Sequence, residues 1–499
     1  MAERLHSIVV VGGDAAAASV AAGIANSLRG SDIKISLIDE PDDYTGFSSS
    51  LPETVDYHRH MALNEPSLVK ATGATYKLGY EYTDWVRLDH RFAVATGEYG
   101  VTIRLVPFHQ YITKDHLAGI ESRYADYSLA AAAMRAGRFS PPSADPDDIS
   151  SSYRYGLNLD HKRYAMAMAQ IASGFGVSHH RSSVVSVTRD PASGFVQSVA
   201  LENGNSVAGD LFVDCSGAKA LLIDGALGIG IEDWSQYLPC DRSISFSHTD
   251  AYDLHPVTRI IGKQHGWLRR VQLLDKSRFE YCYNSGLSTD DEVVDSLLRD
   301  LPGASDVLPA RQIQRGARRE CWSANVVAMG RAAADFESLE SSSLTRTHHS
   351  IVRLLSLLPD RDCAPAIAEE FNRITNQEHE HLRELLCMFY ALSKRRDSRF
   401  WRHCHELSRP PLLDTRLELF RSHGRLRLRH NEPCTHDYMI AVLFGLECLP
   451  TGHDPLVDAA NPSAVQSRML AMREKITDLV ASMPRHEQYL KSILQPVVQ

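Results

Sequence analysis

The 499-residue sequence lacks the features of a secreted, membrane-spanning or nucleic-acid-binding protein. Its nine cysteines include no CxxC pair and are irregularly spaced, which argues against a disulfide framework and a cysteine-based zinc site. No apolar run reaches the length of a bilayer span, and no signal-type segment opens the sequence. The net charge of -9 comes without a long Lys/Arg-rich tract. We therefore expect a cytoplasmic protein with no metal ion, no nucleic acid and no membrane among its partners.

Hydrophobic residues make up 43% of the chain and charged residues 23%, which is typical of a globular protein. The length exceeds what one hydrophobic core supports. After about residue 345, leucine, isoleucine and charged residues interleave with helical spacing. We predict a first domain over residues 1–345 and a mostly helical region over residues 346–499. In that region, residues 378–381 (EHEH) contain two histidines, but not at the four-residue spacing of an HExxH zinc site. We predict a solvated helical face there.

The N-terminal pattern predicts a strand, a helix and a second strand. Residues 8–12 are continuously apolar, as in a parallel strand that is buried on both faces. Residues 14–28 are alanine-rich and predict a helix, and residues 33–38 predict the second strand, which ends at Asp39 and Glu40. This order indicates the α/β class and a Rossmann-type dinucleotide-binding fold.

The turn between the first strand and the helix departs from the Rossmann GxGxxG pattern. Gly12 is retained, Asp14 stands at the second glycine position and Ala17 at the third. Glycines there let the backbone approach a diphosphate at the helix N-terminus, and the acid after the second strand, Asp39 or Glu40, binds a ribose. A carboxylate beside a diphosphate would cost about 1–4 kcal/mol. Three interpretations stay open: the Asp14 side chain turns outward, the cofactor binds weakly, or no dinucleotide binds.

Short segments in a fixed order resemble the flavin-dependent tryptophan halogenases. Residues 73–79 (GATYKLG) look like the segment that carries the family's catalytic lysine, and residues 338–342 (SLESS) are similar to its PLEST motif. Further resemblances lie at residues 84–85, 155–160, 212–217, 221–223 and 393–404. The segments span residues 8–405, and the chain is identified as a divergent member of this family. The resemblance implies a flavin-monooxygenase-like box, with Rossmann-type FAD binding, and a helical pyramid packed on it.

The resemblance also implies an enzyme that uses FAD, delivered in reduced form by a separate reductase, together with oxygen and chloride or bromide. The oxidised halogen would then reach an aromatic, indole- or tryptophan-like substrate at a separate site. Lys77 would hydrogen-bond this oxidant or be chlorinated by it, and Glu340 would orient it and stabilise the ring cation. Without the family, Lys77 is a surface lysine whose stem covers a strand end, and Glu340 is an acid beside a helix start.

The family pattern assigns the cofactor and halide contacts as well. The halide would lie at the backbone N–H groups of Ser342 and Ser343. The residues expected at FAD are Gly12, Gly13, Ala16, Asp39, Glu40, Ser49, Val184, Arg331 and Leu344.

Several departures from the family cluster at the expected cofactor site. Residues 46–52 lack the glutamate of VGEATxP, and residues 267–272 keep one tryptophan of WxWxIP and lack its proline. Arg331 stands where a smaller or apolar residue is usual, and Ser343 replaces a glycine. Two alternatives to halogenation therefore stay open: a flavin monooxygenase without halogenation, and a non-catalytic member with a degraded FAD site. A homodimer stays open for the assembly.

Overall fold

The structure is a computed structural model, which describes residues 3–40, 46–249, 254–340 and 342–495. The chain divides into two compact units. The first unit comprises residues 1–74, 159–241 and 312–380, and the second unit comprises residues 75–158, 242–311 and 381–499. The domain boundary at residue 345 stays a prediction.

A mainly parallel sheet forms the centre of the first unit. Ser7–Val11 pairs in parallel with Lys34–Ile38 on one side and with Leu211–Asp214 on the other. Ser178–His180 continues the sheet beyond Lys34–Ile38, and Val326–Ala328 continues it beyond Leu211–Asp214, again in parallel. Four of the five residues in the first strand are buried, which explains its continuous apolarity. The predicted α/β class with a Rossmann-type opening is confirmed.

The first helix, Ala15–Ser27, lies one residue inside its predicted bounds at each end. Its alanines are buried and let two other helices, His161–Gly174 and Ser343–Ser356, pack closely against it. A third helix, Pro52–His60, comes close at Gly23, where an added Cβ would lie 2.4 Å from the hydroxyl of Tyr57. Small side chains therefore allow the dense packing around this helix.

The remaining elements of the first unit are short strands and surrounding helices. The strands are Phe47–Ser49, Val184–Arg189, Val196–Leu201, Ser206–Ala208, Glu232–Asp233, Gly316–Ala317, Trp322–Ser323 and Ala334–Asp335. The helices are Pro52–His60, Glu65–Thr72, His161–Gly174 and Ser343–Ser356. Three further elements are divided between the two units, namely Gly156–Asp160, Arg311–Gln312 and Pro365–Leu392.

The second unit is built on a mainly antiparallel sheet. Arg242–His248, Ser277–Tyr283, Gly266–Gln272 and Val257–Gly262 are antiparallel neighbours in that order. Val257–Gly262 then pairs in parallel with Gly79–Thr83. One hydrophobic core cluster of this unit consists of Ile244, Phe246, Leu268, Phe279, Tyr281, Tyr283, Val293 and Leu297.

Helices make up most of the rest of the second unit. The remaining strands are Thr75–Lys77 and Arg91–Ala95, and the helices are His109–Leu117, Leu129–Arg135, Asp290–Asp300, Arg399–Cys404, Pro411–His423, His436–Gly445, Pro462–Ser482 and His486–Leu494. Residues 342–495, all of them described, form helices and loops without a strand, as predicted for this region. Within the described ranges, no helix combines the length and apolarity needed to cross a membrane.

The predicted solvated face at residues 378–381 is wrong, because Glu378 is buried in the first unit. Its Oε1 accepts a hydrogen bond from His349 Nδ1 at 2.6 Å, and its Oε2 accepts one from Arg353 at 2.7 Å. Burial opposes the charge on Glu378, but His349 and Arg353 outweigh it and hold the pKa of Glu378 well below its usual range. Burial likewise lowers the pKa of His349, and Glu378 raises it above the ordinary value. The three side chains therefore form a buried charged cluster.

We expect Glu378→Gln to lower the free energy of unfolding by about 3 kcal/mol, because it leaves Arg353 largely buried without its carboxylate. Urea unfolding measures the change. Glu380→Gln is the matched control, since Glu380 lies on the exposed side of the same helix. The control should shift the free energy by less than about 0.5 kcal/mol. If the two substitutions lowered the free energy of unfolding equally, the buried charged cluster would not be what stabilises the fold at Glu378.

The cluster also predicts a pH dependence. Because the folded-state pKa of His349 is raised from 6.5, its protonated form stabilises the fold below that pH. The stabilisation is lost as the pH rises through the raised pKa. The difference in unfolding free energy between wild type and Glu378→Gln should therefore shrink as the pH rises from 6.5 through the raised pKa of His349. A constant difference over this range would argue against a charged His349.

Candidate active site

A cleft of about 1040 Å³ opens in the first unit where the central strand ends. Gly12, Gly13 and Asp14 line it from the first turn, and Asp39 lines it from the end of the second strand. The helix His161–Gly174 contributes further lining residues. In open α/β sheets, ligands bind at the carboxyl ends of the parallel strands. The structure thus brings together Gly12, Gly13 and Asp39, as the sequence predicted.

Both glycines of the turn are required by close backbone packing. A Cβ on Gly12 would lie 2.2 Å from the carbonyl oxygen of Cys215, and Gly12 has a φ of +151°. A Cβ on Gly13 would lie 2.2 Å from the carbonyl oxygen of Glu40. Neither position therefore tolerates a side chain unless the neighbouring strand ends move. Gly12 is buried and Gly13 is partly buried, and neither carries a side chain where the turn meets the start of the helix.

Asp14 caps the first helix with its own carboxylate. Its Oδ1 accepts hydrogen bonds from Ala16 N at 2.9 Å and from Ala17 N at 3.1 Å. An aspartate is a favourable cap because it satisfies exposed N–H groups and complements the positive end of the helix dipole. A diphosphate would use the same end of the helix. The Asp14 carboxylate therefore folds onto the helix start, and a bound phosphate would have to share or displace its contacts.

The structure distinguishes the two acids after the second strand. Glu40 is buried, and its carboxylate binds Lys219 Nζ at 3.1 Å and Val184 N at 2.8 Å. Asp39 lines the cleft, with one carboxylate oxygen 3.4 Å from His179 Nε2. Asp39 is therefore the carboxylate available to a ligand. The carboxylate of Glu40 is instead used in bonds to Lys219 and to the backbone N–H of Val184.

The other residues predicted at the cofactor lie elsewhere in the first unit. Within the described residues, the lining of the cleft does not include Ala16, Ser49, Val184, Arg331 or Leu344. All of these except Val184 are buried. Gly330, the residue before Arg331, would place an added Cβ 3.1 Å from the Cβ of Ala16. The segment Gly330–Ala332 therefore packs near the start of the first helix.

The sequence did not reveal two basic residues of the cleft. Lys162 lies in the first turn of the helix His161–Gly174, and Arg181 follows the strand Ser178–His180. Both are exposed and add positive charge to a cleft that also holds Asp14. No local motif marks them, because they reach the cleft only through the packing of distant segments.

Lys77 is buried in the second unit, so its interpretation as a surface lysine is wrong. Its side chain is 1% exposed, and its Nζ lies 3.6 Å from the centre of the Tyr80 ring. Lys77 ends the strand Thr75–Lys77 and faces Gly156 in the neighbouring strand. A buried ammonium over an aromatic face is held by the ring's negative electrostatic potential. The arrangement places a cationic side chain over the ring of the buried Tyr80.

Glu340 and Ser342 are both buried in the first unit, each with 2% exposure. Ser342 is the N-cap of the helix Ser343–Ser356, and its Oγ accepts a hydrogen bond from Thr345 N at 3.1 Å. The helix start predicted here is therefore present. Glu340 lies two residues before this cap, where the helix dipole favours a negative charge.

The remaining tryptophan of the 267–272 segment is part of the core of the second unit. Trp267 is fully buried, and its Nε1 donates a hydrogen bond to the hydroxyl of Tyr390 at 2.9 Å. Arg269 in the same strand is also buried and pairs with Glu280 at 2.6 Å. The strand Gly266–Gln272 thus contains a buried ion pair in place of further family aromatics.

A Rossmann-type sheet with a cleft at the end of its central strand defines an α/β protein with the fold of dinucleotide-binding proteins. The chain matches the Tryptophan halogenase family model over residues 7–462, and it belongs to that family. Similar proteins include tryptophan 6-halogenase SttH of Streptomyces toxytricini, 26% identical over 482 residues, covering 88% of this chain and 89% of the relative. Tryptophan 7-halogenase KtzQ of Kutzneria sp. (strain 744) is 25% identical over 536 residues, covering 99% of both proteins.

Solved structures agree with this assignment. BrvH, a flavin-dependent halogenase from Brevundimonas sp. BAL3, is 32% identical with a TM-score of 0.93, covering 98% of this chain and 99% of that chain. A flavin-dependent halogenase from Xanthomonas campestris is 28% identical with a TM-score of 0.92, covering 98% of each chain. The predicted family, the fold class and the expectation of a flavin-dependent enzyme class are confirmed.

The cleft tests whether this chain fits a flavin dinucleotide. Gly12, Gly13 and Asp39 fit one, because the two glycines carry no side chain that would keep a diphosphate from the backbone, and the Asp39 carboxylate can accept a hydrogen bond from a ribose. The charge of Asp14 opposes the diphosphate at the same point. Gly12, Gly13 and Asp39 therefore fit the cofactor, whereas the charge of Asp14 is unfavourable for its diphosphate.

We expect Asp14→Asn to tighten the binding of FAD about tenfold, because asparagine keeps the capping oxygen and removes the charge. Asp14→Ala should also tighten binding, but should destabilise the cofactor-free protein by about 1 kcal/mol because the cap is lost. Calorimetric titration with FAD and thermal unfolding measure the two effects.

Asp148→Asn is the control for this series, since Asp148 caps a short helix in the second unit. It should leave the FAD dissociation constant unchanged. Added salt should reduce the gap between wild type and Asp14→Asn, because salt screens charge repulsion. Binding to wild type as tight as to Asp14→Asn would rule out competition by the carboxylate.

Proposed function

We propose that this protein halogenates an aromatic, indole-like substrate, using reduced FAD, oxygen and chloride or bromide. The observation that carries the proposal is the burial of Lys77 over the ring of Tyr80. Burying a lysine ammonium is costly unless the site compensates for it, so such a residue is a candidate for function. Family membership supports the chemistry, since relatives are named as halogenases of tryptophan.

In this proposal FAD lies in the cleft of the first unit. Gly12 and Gly13 let its diphosphate approach the backbone, Asp39 accepts a hydrogen bond from the adenosine ribose, and Lys162 and Arg181 balance the phosphate charge. Bound reduced FAD supplies the electrons that activate oxygen for halide oxidation. The sequence contains one Rossmann turn, so a separate reductase is proposed to deliver the reduced cofactor.

Lys77 and Glu340 are proposed to direct the halogen onto the ring. The ammonium of Lys77 donates hydrogen bonds that hold the oxidised halogen beside the substrate. When the carbon–halogen bond forms, the ring becomes positively charged, and the carboxylate of Glu340 stabilises that charge until the ring proton leaves. The halide that enters the reaction is proposed to bind at the N–H groups of Ser342 and Ser343, at the start of the helix.

A flavin monooxygenase without halogenation is the second candidate, and the strand Gly266–Gln272 favours it. The family resemblance implies that the WxWxIP motif keeps the substrate away from the activated cofactor. Here Trp267 lies in the core, and Arg269 pairs with Glu280 in place of further aromatics. Because this barrier is reduced, oxygen transfer to the substrate competes with halogenation.

We expect Lys77→Met to lower the rate of halogenated product at least about 100-fold, because methionine fills the space without donating hydrogen bonds. Glu340→Gln should lower it about 100-fold through the loss of the negative charge. Both variants should bind FAD as wild type does. The measurement is product analysis by mass spectrometry, with indole and tryptophan as substrates, a flavin reductase, and chloride or bromide.

Lys70→Met is the matched control, since Lys70 is an exposed lysine in the preceding helix. It should leave the rate unchanged. An oxygenated product that forms without halide would favour the monooxygenase. Tight FAD binding without turnover of indole or tryptophan would favour a non-catalytic member of the family.

A further inference from the structure

The parallel pairing of Gly79–Thr83 with Val257–Gly262 continues backwards along both strands, towards Lys77. Leu78 N donates a hydrogen bond to the carbonyl oxygen of Pro256 at 2.8 Å, one residue before each strand begins. Along one strand of a parallel pair, such bonds leave from every second residue. The next bond of this ladder would therefore leave from the residue that precedes Lys77.

A histidine side chain takes the place of that bond. Tyr76 N and the carbonyl oxygen of Leu254 lie two residues further back on the two strands. His486 Nε2 accepts the N–H of Tyr76 at 3.2 Å, and His486 Nδ1 donates to the oxygen of Leu254 at 2.8 Å. A direct bond would need about 2.9 Å between the two backbone atoms. The imidazole ring therefore separates the two strands beside Lys77, and all of these residues belong to the second unit.

The two partners of His486 determine its tautomer. The backbone N–H of Tyr76 can only donate a hydrogen bond, and the carbonyl oxygen of Leu254 can only accept one. Nδ1 of His486 therefore carries the hydrogen, and Nε2 carries the free electron pair. The ring is neutral at neutral pH, because burial lowers the pKa of His486 to about 4. One neutral ring thus satisfies a backbone N–H and a backbone C=O at the same time.

His486 is itself held in place. Its side chain is fully buried, and its backbone N–H donates to the carbonyl oxygen of Gly137 at 2.9 Å. The Tyr76 ring packs against the rings of His486 and Phe139, with centroid distances of 6.1 and 4.3 Å. The imidazole ring is therefore fixed relative to the strand that carries Lys77.

Lys77 lies between the last direct bond of the ladder and the inserted ring. After it, Leu78 N is bonded directly to the neighbouring strand, and before it, Tyr76 N is bonded to His486. The backbone is thus fixed on both sides of Lys77. The same two bonds fix the point from which the Lys77 side chain extends to the ring of Tyr80.

We propose that His486 is a positioning residue for Lys77. Its imidazole ring sets the separation of the two strands beside Lys77 and thereby places the ammonium over the ring of Tyr80. Without the imidazole, Tyr76 N either bonds directly to the neighbouring strand or loses its acceptor, and in both cases Lys77 shifts. The inference rests on the proposed role of Lys77 in halogenation.

The test compares two substitutions of His486. His486→Phe keeps an aromatic ring beside Tyr76 and Phe139 and removes both hydrogen bonds. The kcat for halogenated product should fall about 100-fold, because a displacement of about 1 Å can cost that much in an oriented reaction. The KM for the aromatic substrate should stay within about twofold of wild type. A wild-type kcat, or a rise in KM that accounts for the loss of activity, overturns the inference.

His486→Gln is the conservative variant. Its carboxamide carries an N–H donor and a carbonyl acceptor on one planar group, as the imidazole does. The kcat should therefore stay within about tenfold of wild type. A kcat as low as that of His486→Phe overturns the inference.

Leu490→Ala controls for the docking of the helix His486–Leu494. Leu490 is 1% exposed in this helix, so alanine leaves a cavity and lowers the melting temperature. Both hydrogen bonds of His486 remain in this variant, and kcat should equal that of wild type. An equal fall of kcat in Leu490→Ala and His486→Phe would assign the effect to helix docking and overturn the inference.

Crystal structures of wild type and His486→Phe test the positioning without turnover. Lys77 Nζ should lie over the ring of Tyr80 in wild type and shift by about 1 Å or more in the variant. If it shifts and wild type forms no halogenated product, the proposed function fails and the positioning of Lys77 by His486 is supported. If Lys77 does not shift, the inference is overturned, while product formation by wild type still supports the proposed function.

The tautomer provides a test that does not need a folded His486→Phe variant. Nitrogen-15 spectra of wild type with labelled histidines should show His486 in the Nδ1–H form at neutral pH. The signal is assigned to His486 by its absence from the spectrum of His486→Gln. An Nε2–H form of His486 overturns the inference, because that form cannot accept the N–H of Tyr76.

Discussion

The close approach of the first turn to its neighbouring strands is the constraint on which the first unit depends. Gly12 N donates to the carbonyl oxygen of Ile38 at 2.9 Å, and Cys215 N donates to that of Val11 at 2.8 Å. The end of the first strand is therefore bonded on both sides, and Gly12 leaves no room for a side chain. The helix start and the end of the second strand are fixed around one cleft as a consequence.

Two helix starts in the first unit are capped in different ways. The helix Ala15–Ser27 begins with a carboxylate, Asp14, which adds negative charge where phosphates would bind. The helix Ser343–Ser356 begins with a hydroxyl, Ser342, which is neutral and can also donate a hydrogen bond. The positive end of the helix dipole is thus partly neutralised by the Asp14 carboxylate in the first helix. At Ser342 no such charge is present in the cap, so the positive end of the second helix can still attract an anion. Anions of different size and charge would meet different resistance at the two positions.

Local sequence patterns predicted the strands and helices better than they predicted the surroundings of the candidate site residues. The sequence located Ser7–Val11 and Ala15–Ser27 to within one residue at each end, because continuous apolarity and alanine richness are properties of the segments themselves. The burial of Lys77 depends on Tyr80 and on the pairing of a distant strand, which no local pattern encodes. Lys162 likewise reaches the cleft only because helices pack against the sheet. Motif order identified the family, whereas side-chain environments required the fold.

Asp39 also gives the cleft a means of discriminating between nucleotides. The carboxylate of Glu40 is bonded to Lys219 and to the backbone of Val184, so of the two acids it is Asp39 whose charge a ribose in the cleft would meet. A carboxylate at this position accepts hydrogen bonds from free ribose hydroxyls and repels a 2′-phosphate. A nucleotide with a 2′-phosphate would therefore meet electrostatic repulsion at Asp39 that a nucleotide with a free ribose would not.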